Sequence, residues 1–215
     1  MQPPATPYDE DYYLRGKETG KSNYQDYKWV PDLTLPLADR LKQVLHVQDG
    51  DTFLDYGCAR GYVVKALRMR GVDAWGHDIS PWAVENCDPS VKGHVSLVLS
   101  AEPLSWGFIM AKDTMEHVPV EDLMPLLSTL VAATRKSLLL IVPLARYTDG
   151  PYLRDEDNAD PTHCNAWPLE KWIDVLESVV PNGTGYVSGS FHYPGLKPAS
   201  GEVPKSCGFI RFTRI

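Results

Sequence analysis

Four residues in "LDYGCARGYVVKALRMRGVDAWGHDI" are spaced for chemistry: Asp55, Gly57, Gly61 and Asp78. A glycine turn leaving a buried strand lets the backbone come close to a ligand. An acid about twenty residues further on, at the end of the next strand, accepts the two hydroxyls of a ribose. Asp78 follows Gly57 by 21 residues. The pattern reads as a nucleoside site. Its spacing is G-x-x-x-G, not the G-x-G-x-x-G of dinucleotide sites. Such glycines also occur in ordinary strand-to-helix turns, and the flanking Asp55 and Asp78 separate the two cases.

The elements that must position these residues can be read from periodicity. "TFLDYG" is a short buried strand, "GYVVKALRMRG" a helix stopped at Gly71, and "VDAWGHDI" a second strand. Ser80 is an N-cap with Pro81 at the first helical position. "HVSLVLS" and "WGFIMAKD" are the third and fourth strands, and "VEDLMPLLSTLVAATRK" is an amphipathic helix. "SLLLIVPLA", the most apolar stretch, is a central strand. "PLEKWIDVLESVV" is the last helix, and "TGYVSGSFHY" and "SCGFIRFTRI" are closing strands that pair antiparallel at one edge. Ahead of all these, "LTLPLADRLKQVLHV" is a helix with Leu37, Leu41, Val44 and Leu45 on one face. The fold class is therefore α/β, a mostly parallel sheet with helices on both faces.

With 215 residues, 43% hydrophobic and 23% charged, the chain is of globular composition and one-domain size. A net charge of −7 argues against nucleic acid as partner, because polyphosphate binding needs clustered Lys and Arg. Four scattered cysteines form no C-x-x-C pair and are expected as reduced thiols. No apolar run approaches membrane-spanning length, and the start has no signal-peptide pattern, so a cytoplasmic location is expected. Residues 1–30 read as an arm, Pro-rich at first and then dense in tyrosine and acid, expected to pack over the site. Residues 31–215 read as one domain. The Pro- and Gly-rich "HYPGLKPASGEVPKS" is expected to shape an acceptor pocket or an interface.

"LDYGCARG", "GHDIS", "KDTMEHVP" and "LLLIVPL" together resemble the class I S-adenosylmethionine-dependent methyltransferases, in their small-molecule branch. The first family motif is D/E-x-G-x-G-x-G, and Ala59 stands where its middle glycine would be. The resemblance implies a Rossmann-like sheet of seven strands with the last antiparallel, and S-adenosyl-L-methionine as cofactor. It implies that the loop Asp55, Tyr56, Gly57, Cys58 to Gly61 holds the methionine part. Asp78 would bind the ribose, and Ile79 would pack on the adenine. The residue near the adenine amine would come from Ser100, Ala101 or Glu102, with Lys112 and Asp113 beside the cofactor. "MEHVP" matches the family's L-E-H-V-P, which puts His117 at a helix start in either a structural or a catalytic role.

Methyl transfer is an in-line displacement at a sulfonium carbon, in which the protein chiefly orients the reactants. A hydroxyl acceptor also needs a base. His163 in "ADPTHCNAW" is the first candidate: it follows the fifth strand in a lid-like loop and resembles the D-P-T-H element of small-molecule methyltransferases. Asp155, Asp157, Asn158, Asp160 and His163 could ligate a divalent metal. The spacing lacks an EF-hand pattern, so a solvated acidic loop without metal is the expectation. The expected activity is O-methylation of a small molecule, a sugar or another hydroxylated metabolite. The alternatives are a catalytically silent methyltransferase-like partner subunit or a protein methyltransferase. The sequence gives no oligomeric state.

Overall fold

The structure, a computed structural model, describes residues 6–191, 196 and 205–215. The prolines at the start and most of the 192–206 loop, to which an acceptor-shaping role was assigned above, lie outside the described residues.

Short apolar runs separated by glycine and proline turns form seven strands: β1 Thr52–Tyr56, β2 Asp73–His77, β3 Val95–Ser96, β4 Trp106–Lys112, β5 Thr134–Pro143, β6 Gly185–Ser190 and β7 Cys207–Arg214. They make one sheet in the order β3-β2-β1-β4-β5-β7-β6. The pairs from β3 to β5 are parallel, and β7 runs antiparallel to both β5 and β6. Eight helices accompany it: α1 Glu10–Leu14, α2 Gly16–Thr19, α3 Pro31–Leu45, α4 Tyr62–Arg68, α5 Pro81–Glu85, α6 Val120–Ala133, α7 Asp155–Asn158 and α8 Leu169–Val179.

The period-two alternation of each central strand feeds two cores. Phe53, Phe108, Met110, Leu139 and Ile141 face α3 and α4, where Leu41, Leu45, Val64 and Leu67 meet them. Leu54, Ile109, Leu138, Leu140 and Val142 face α6 and α8, where Leu123, Leu127, Leu130, Trp172 and Leu176 meet them. Burying each such side chain stabilises the fold by about 1.5–3 kcal/mol. A sheet covered on both faces leaves the ends of its strands as the open place for a ligand.

Three elements differ from expectation. The amphipathic helix stops at Ala133, and Thr134-Arg135-Lys136 opens β5. Thr134 adopts extended backbone and its hydroxyl donates to Leu130 O at 2.7 Å, closing the helix. Lys136 then reaches Asp51 at 2.7 Å across the sheet end. The third strand is two residues long, because only Val95 and Ser96 pair with β2. The arm, for which no elements were read from the sequence, holds two short helices, the first capped by Asp9, which accepts from Tyr12 N at 3.0 Å. All four cysteines are free thiols.

Candidate functional site

β1 and β2 end side by side, Tyr56 opposite His77. The chain leaves β1 through three left-handed positions: Gly57 at φ 80°, Ala59 at φ 48° and Gly61 at φ 74°. A Cβ on Gly57 would stand 2.3 Å from Thr114 Oγ1, so glycine is required there by both angle and space. Ala59 holds its left-handed angle at a cost of about 1–2 kcal/mol. The Asp78 carboxylate closes the turn from β2. Its Oδ2 accepts from Ala59 N at 2.7 Å and its Oδ1 from Ser80 N at 2.9 Å. Ser80 caps α5, its hydroxyl accepting from Ala83 N at 3.0 Å.

Electrostatics here are those of a desolvated pocket wall. Burial raises the Asp78 carboxyl above its ordinary range, and the N–H groups of Ser80 and Ala59 pull the other way. Asp55, 3% exposed, is pushed by burial to about 7; Lys112 opposes the shift and the Asp78 charge adds to it. Lys112 itself is paired with Asp113. His77 lines the cavity, and its Nδ1 is buried with no hydrogen-bond partner.

Above this turn lies a cavity of about 330 Å³, a volume at the small end of ligand sites. Its floor is Tyr56, Gly57 and Ala59, and Asp78 with Ile79 form one wall. Tyr8, Tyr12, Tyr13 and Tyr24 of the arm form another. The arm is held by specific contacts. Ser80 Oγ donates to Tyr8 O at 2.5 Å, Arg60 Nη1 donates to Tyr27 O at 3.1 Å, and Tyr13 stacks on Trp82 with centroids 5.4 Å apart.

The far wall carries His117, whose ring meets that of Tyr8 edge-on at 5.9 Å. His117 follows β4 in a 3-10 turn, Met115–His117. The ring of His163 stands 4.6 Å from that of His117. The two segments are stitched together. Cys164 N and Asn165 N both donate to Glu116 O, at 2.8 and 3.2 Å. Buried Asn165 Nδ2 donates to Met115 O and Val118 O at 3.0 and 2.6 Å. Burial first, and the neighbouring His163 second, lower the His117 pKa to about 4, so this imidazole is neutral at physiological pH.

Of the residues singled out from sequence, Tyr56, Gly57, Asp78, Ile79, Asp113 and His117 line the cavity. Asp55, Cys58, Gly61, Lys112 and His163 do not line it; Cys58 is a buried core thiol, Gly61 is the N-cap of α4, and His163 reaches the site only through its contact with His117. Ala101 does not reach the cavity either, because it packs against the core beside α6, and its neighbour Ser100 gives its carbonyl to Trp106 Nε1 at 2.7 Å. The acidic loop spends its polar groups on its own turns. Asn158 binds the Tyr152 backbone at 2.8 and 3.1 Å, and Asp160 Oδ1 accepts from Thr162 N and Oγ1 at 3.0 and 2.6 Å. His77, Thr114 and Glu116 were not found from sequence. They lie inside the quoted motifs, but the motifs assign them no role: His77 is a strand end, and the other two become neighbours of the site only through β4 and the 160s loop.

A donor built of adenosine and a methionine chain fits this surface. Cβ-free backbone faces the cavity at Gly57, a carboxylate ends β2, and an orphaned His77 nitrogen and an exposed apolar Ile79 lie beside it. The description "methyltransferase domain" matches residues 28–179, about two thirds of the chain. No curated protein matches significantly. Among solved structures, an S-adenosylmethionine-dependent methyltransferase from Archaeoglobus fulgidus is similar at TM-score 0.62 and 19% identity, over 82% of this chain and 92% of that one. A TehB-like methyltransferase from Corynebacterium glutamicum is similar at TM-score 0.57 and 15% identity, over 84% and 88%. The mitomycin 7-O-methyltransferase MmcR is similar at TM-score 0.55 and 14% identity, over 83% of this chain and 54% of that one.

Proposed function

The chain belongs to the methyltransferase-domain family, and on that footing we propose that it moves a methyl group from S-adenosylmethionine to an oxygen of a small molecule, a sugar or another hydroxylated metabolite. The observation that carries the acceptor reading is the cavity itself. It is lined by four tyrosines of the arm, together with the Asp78 carboxylate and the neutral imidazole of His117. Tyrosine offers flat apolar area with a hydroxyl at its edge, which suits a sugar or a ring better than an extended polymer. The mitomycin 7-O-methyltransferase, by its name, acts at an oxygen of a small molecule, and its fold is similar.

The donor supplies a methyl on a sulfonium, already activated for displacement. This chain's residues position it. Asp78 accepts the ribose hydroxyls, and Ile79, 52% exposed, covers the adenine. Tyr56 and Gly57 present the loop's backbone to the amino-acid end, Asp113 lies beside it, and Asp55, Cys58, Gly61 and Lys112 fix the shape of the loop from behind the cavity wall. Residues 1–30 act as an arm over the cavity and 31–215 as one catalytic domain. Holding acceptor oxygen and methyl carbon in line contributes about 7–11 kcal/mol to the rate. At the acceptor end His163 takes up the hydroxyl proton, and His117, neutral beside it, faces the acceptor from the cavity wall. Among the described residues, no helix is long and apolar enough to cross a membrane.

The test is transfer of a labelled methyl group to panels of saccharides, hydroxylated aromatics, RNA and proteins. Labelled product among the hydroxylated small molecules is expected. Label appearing only in RNA or protein would overturn the acceptor class.

A further inference from the structure

The wall behind His117 holds a donor set that methyl transfer alone does not explain. One ligand atom from each of Glu116, His117 and His163 lies within 4.8 Å of the other two. Two imidazoles and one carboxylate are the set that holds zinc in hydrolases and iron in facial triads. Ligand bonds of about 2.0–2.2 Å bring such donors somewhat closer than this, an adjustment within reach of side-chain rotation.

The hydrogen bonds fix which ring nitrogens keep a lone pair. His163 Nδ1 lies 2.8 Å from the carbonyl of Asp157, which can only accept, so Nδ1 carries the proton and Nε2 the lone pair. His117 Nδ1 lies 2.8 Å from Thr162 Oγ1. That hydroxyl donates to Asp160 Oδ1 at 2.6 Å, so it accepts from His117, whose Nε2 likewise keeps its lone pair. Metal-ligating histidines are held in this way, the far N–H given to a backbone carbonyl or to a carboxylate-linked group. The third donor is a carboxylate only 1% exposed. Two imidazole lone pairs and a carboxylate oxygen are donors of the kind such an ion takes. The backbone is set in advance, since Cys164 N, Asn165 N and Asn165 Nδ2 tie the His163 segment to the turn carrying Glu116 and His117.

We propose that Glu116, His117 and His163 bind one divalent transition-metal ion of the zinc class, His117 and His163 through Nε2, at the cavity's far wall. His117 lines the cavity, so the ion stands where an acceptor hydroxyl enters, and it lowers the pKa of a hydroxyl bound to it. With the ion bound, both Nε2 lone pairs are taken, so the metal-bound hydroxyl loses its proton to solvent water and the histidine pair acts on the acceptor through the ion. This role rests on the acceptor reading above; the binding does not.

The experiment leaves out both donor and acceptor. Chelator-stripped protein is titrated with Zn²⁺ by calorimetry and with Co²⁺ by visible absorption. One equivalent is expected to bind with a Kd of about 1 µM or tighter, with the Co²⁺ band of a nitrogen- and oxygen-ligated ion. His163→Ala, on a half-exposed loop that should fold, is expected to abolish the band. Thr162→Val is expected to weaken binding about 10-fold by releasing His117. The isosteric Glu116→Gln tests the third ligand, and S-adenosylhomocysteine binding by each variant reports that the fold is intact. No stoichiometric binding, or binding unchanged in His163→Ala and Glu116→Gln, overturns the proposal. Binding as expected with no methylated hydroxyl product would sink the acceptor reading and leave the metal site standing.

Discussion

The two ends of the cavity are built on opposite plans. The donor end comes from one continuous stretch, residues 55–80, in which a strand, a glycine turn, a helix and a second strand return the chain to its starting point. Its working groups are backbone and one carboxylate, fixed by bonds as local as Asp78 to Ser80 N. The acceptor end is assembled from three segments that are distant in sequence. The arm supplies Tyr8 to Tyr24 and the turn after β4 supplies His117 to the cavity wall, with Glu116 and, from the loop after β5, His163 grouped around His117. Asn165 joins the last two across 47 and 50 residues. A donor common to many enzymes can be held by a local unit, whereas an acceptor that varies from enzyme to enzyme calls for parts that change independently.

The contrast is broken most severely through charge. Asp55 is buried beneath the donor end with its carboxyl pushed to about 7. A group whose folded pKa is raised binds its proton more firmly folded than unfolded. Stability is therefore highest below the unfolded value near 4 and is lost as pH rises toward 7, by up to about 4 kcal/mol. Asp55→Asn is expected to flatten that slope. Denaturant midpoints for both proteins across pH 4–8 check it, and parallel curves would mean that Asp55 keeps an ordinary pKa. His163 lies outside this wall, so His163→Ala should keep the wild-type slope.

The next largest effect concerns binding. Asp78→Asn replaces a carboxylate that accepts from two backbone N–H groups and, in the proposed function, from the ribose. Charge-assisted bonds of this kind contribute about 1.5–3 kcal/mol each, so S-adenosylhomocysteine affinity should fall about 100-fold. His163→Ala should change it less than about twofold, while removing most turnover on the acceptor. Calorimetry on the two variants measures the separation. Equal losses would show that the two ends are energetically one site.

The same division decides what could be read from the sequence. Asp55, Gly57, Gly61 and Asp78 were visible because local spacing and strand periodicity determine where they lie, and seven strands with an inverted last partner follow from alternation. Helix ends resolved less well, since Thr134-Arg135-Lys136 reads as a basic helix terminus until Lys136 meets Asp51 across the sheet. Ala101 was misplaced relative to the cavity because β3 stops at Ser96, and the following segment turns into the core beside Trp106. Glu116 lies inside the "MEHVP" motif, but the motif gave it no role. Its neighbours in space are His163 and Cys164, and nothing at residue 116 announces residue 163.

The smallest change sharpens the comparison at the one donor-end residue that departs from the family motif. Ala59 sits at φ 48°, where a side chain costs about 1–2 kcal/mol and glycine costs little. Ala59→Gly removes that strain but gives the unfolded chain more freedom, worth about 0.4–1 kcal/mol in the other direction. The net is a stabilisation of about 1 kcal/mol or less, read as a rise in thermal midpoint of a few degrees at most. Ala59 N still donates to Asp78, so donor affinity should stay within about threefold. A loss of affinity larger than that would mean that the methyl group of Ala59, which packs near the Tyr12, Tyr13 and Trp82 cluster, sets the height of the arm above the donor. In that event the contact that the arm already makes with the donor end at Ser80 and Ala59 would be an energetic coupling, and the independence argued from their construction would fail there first.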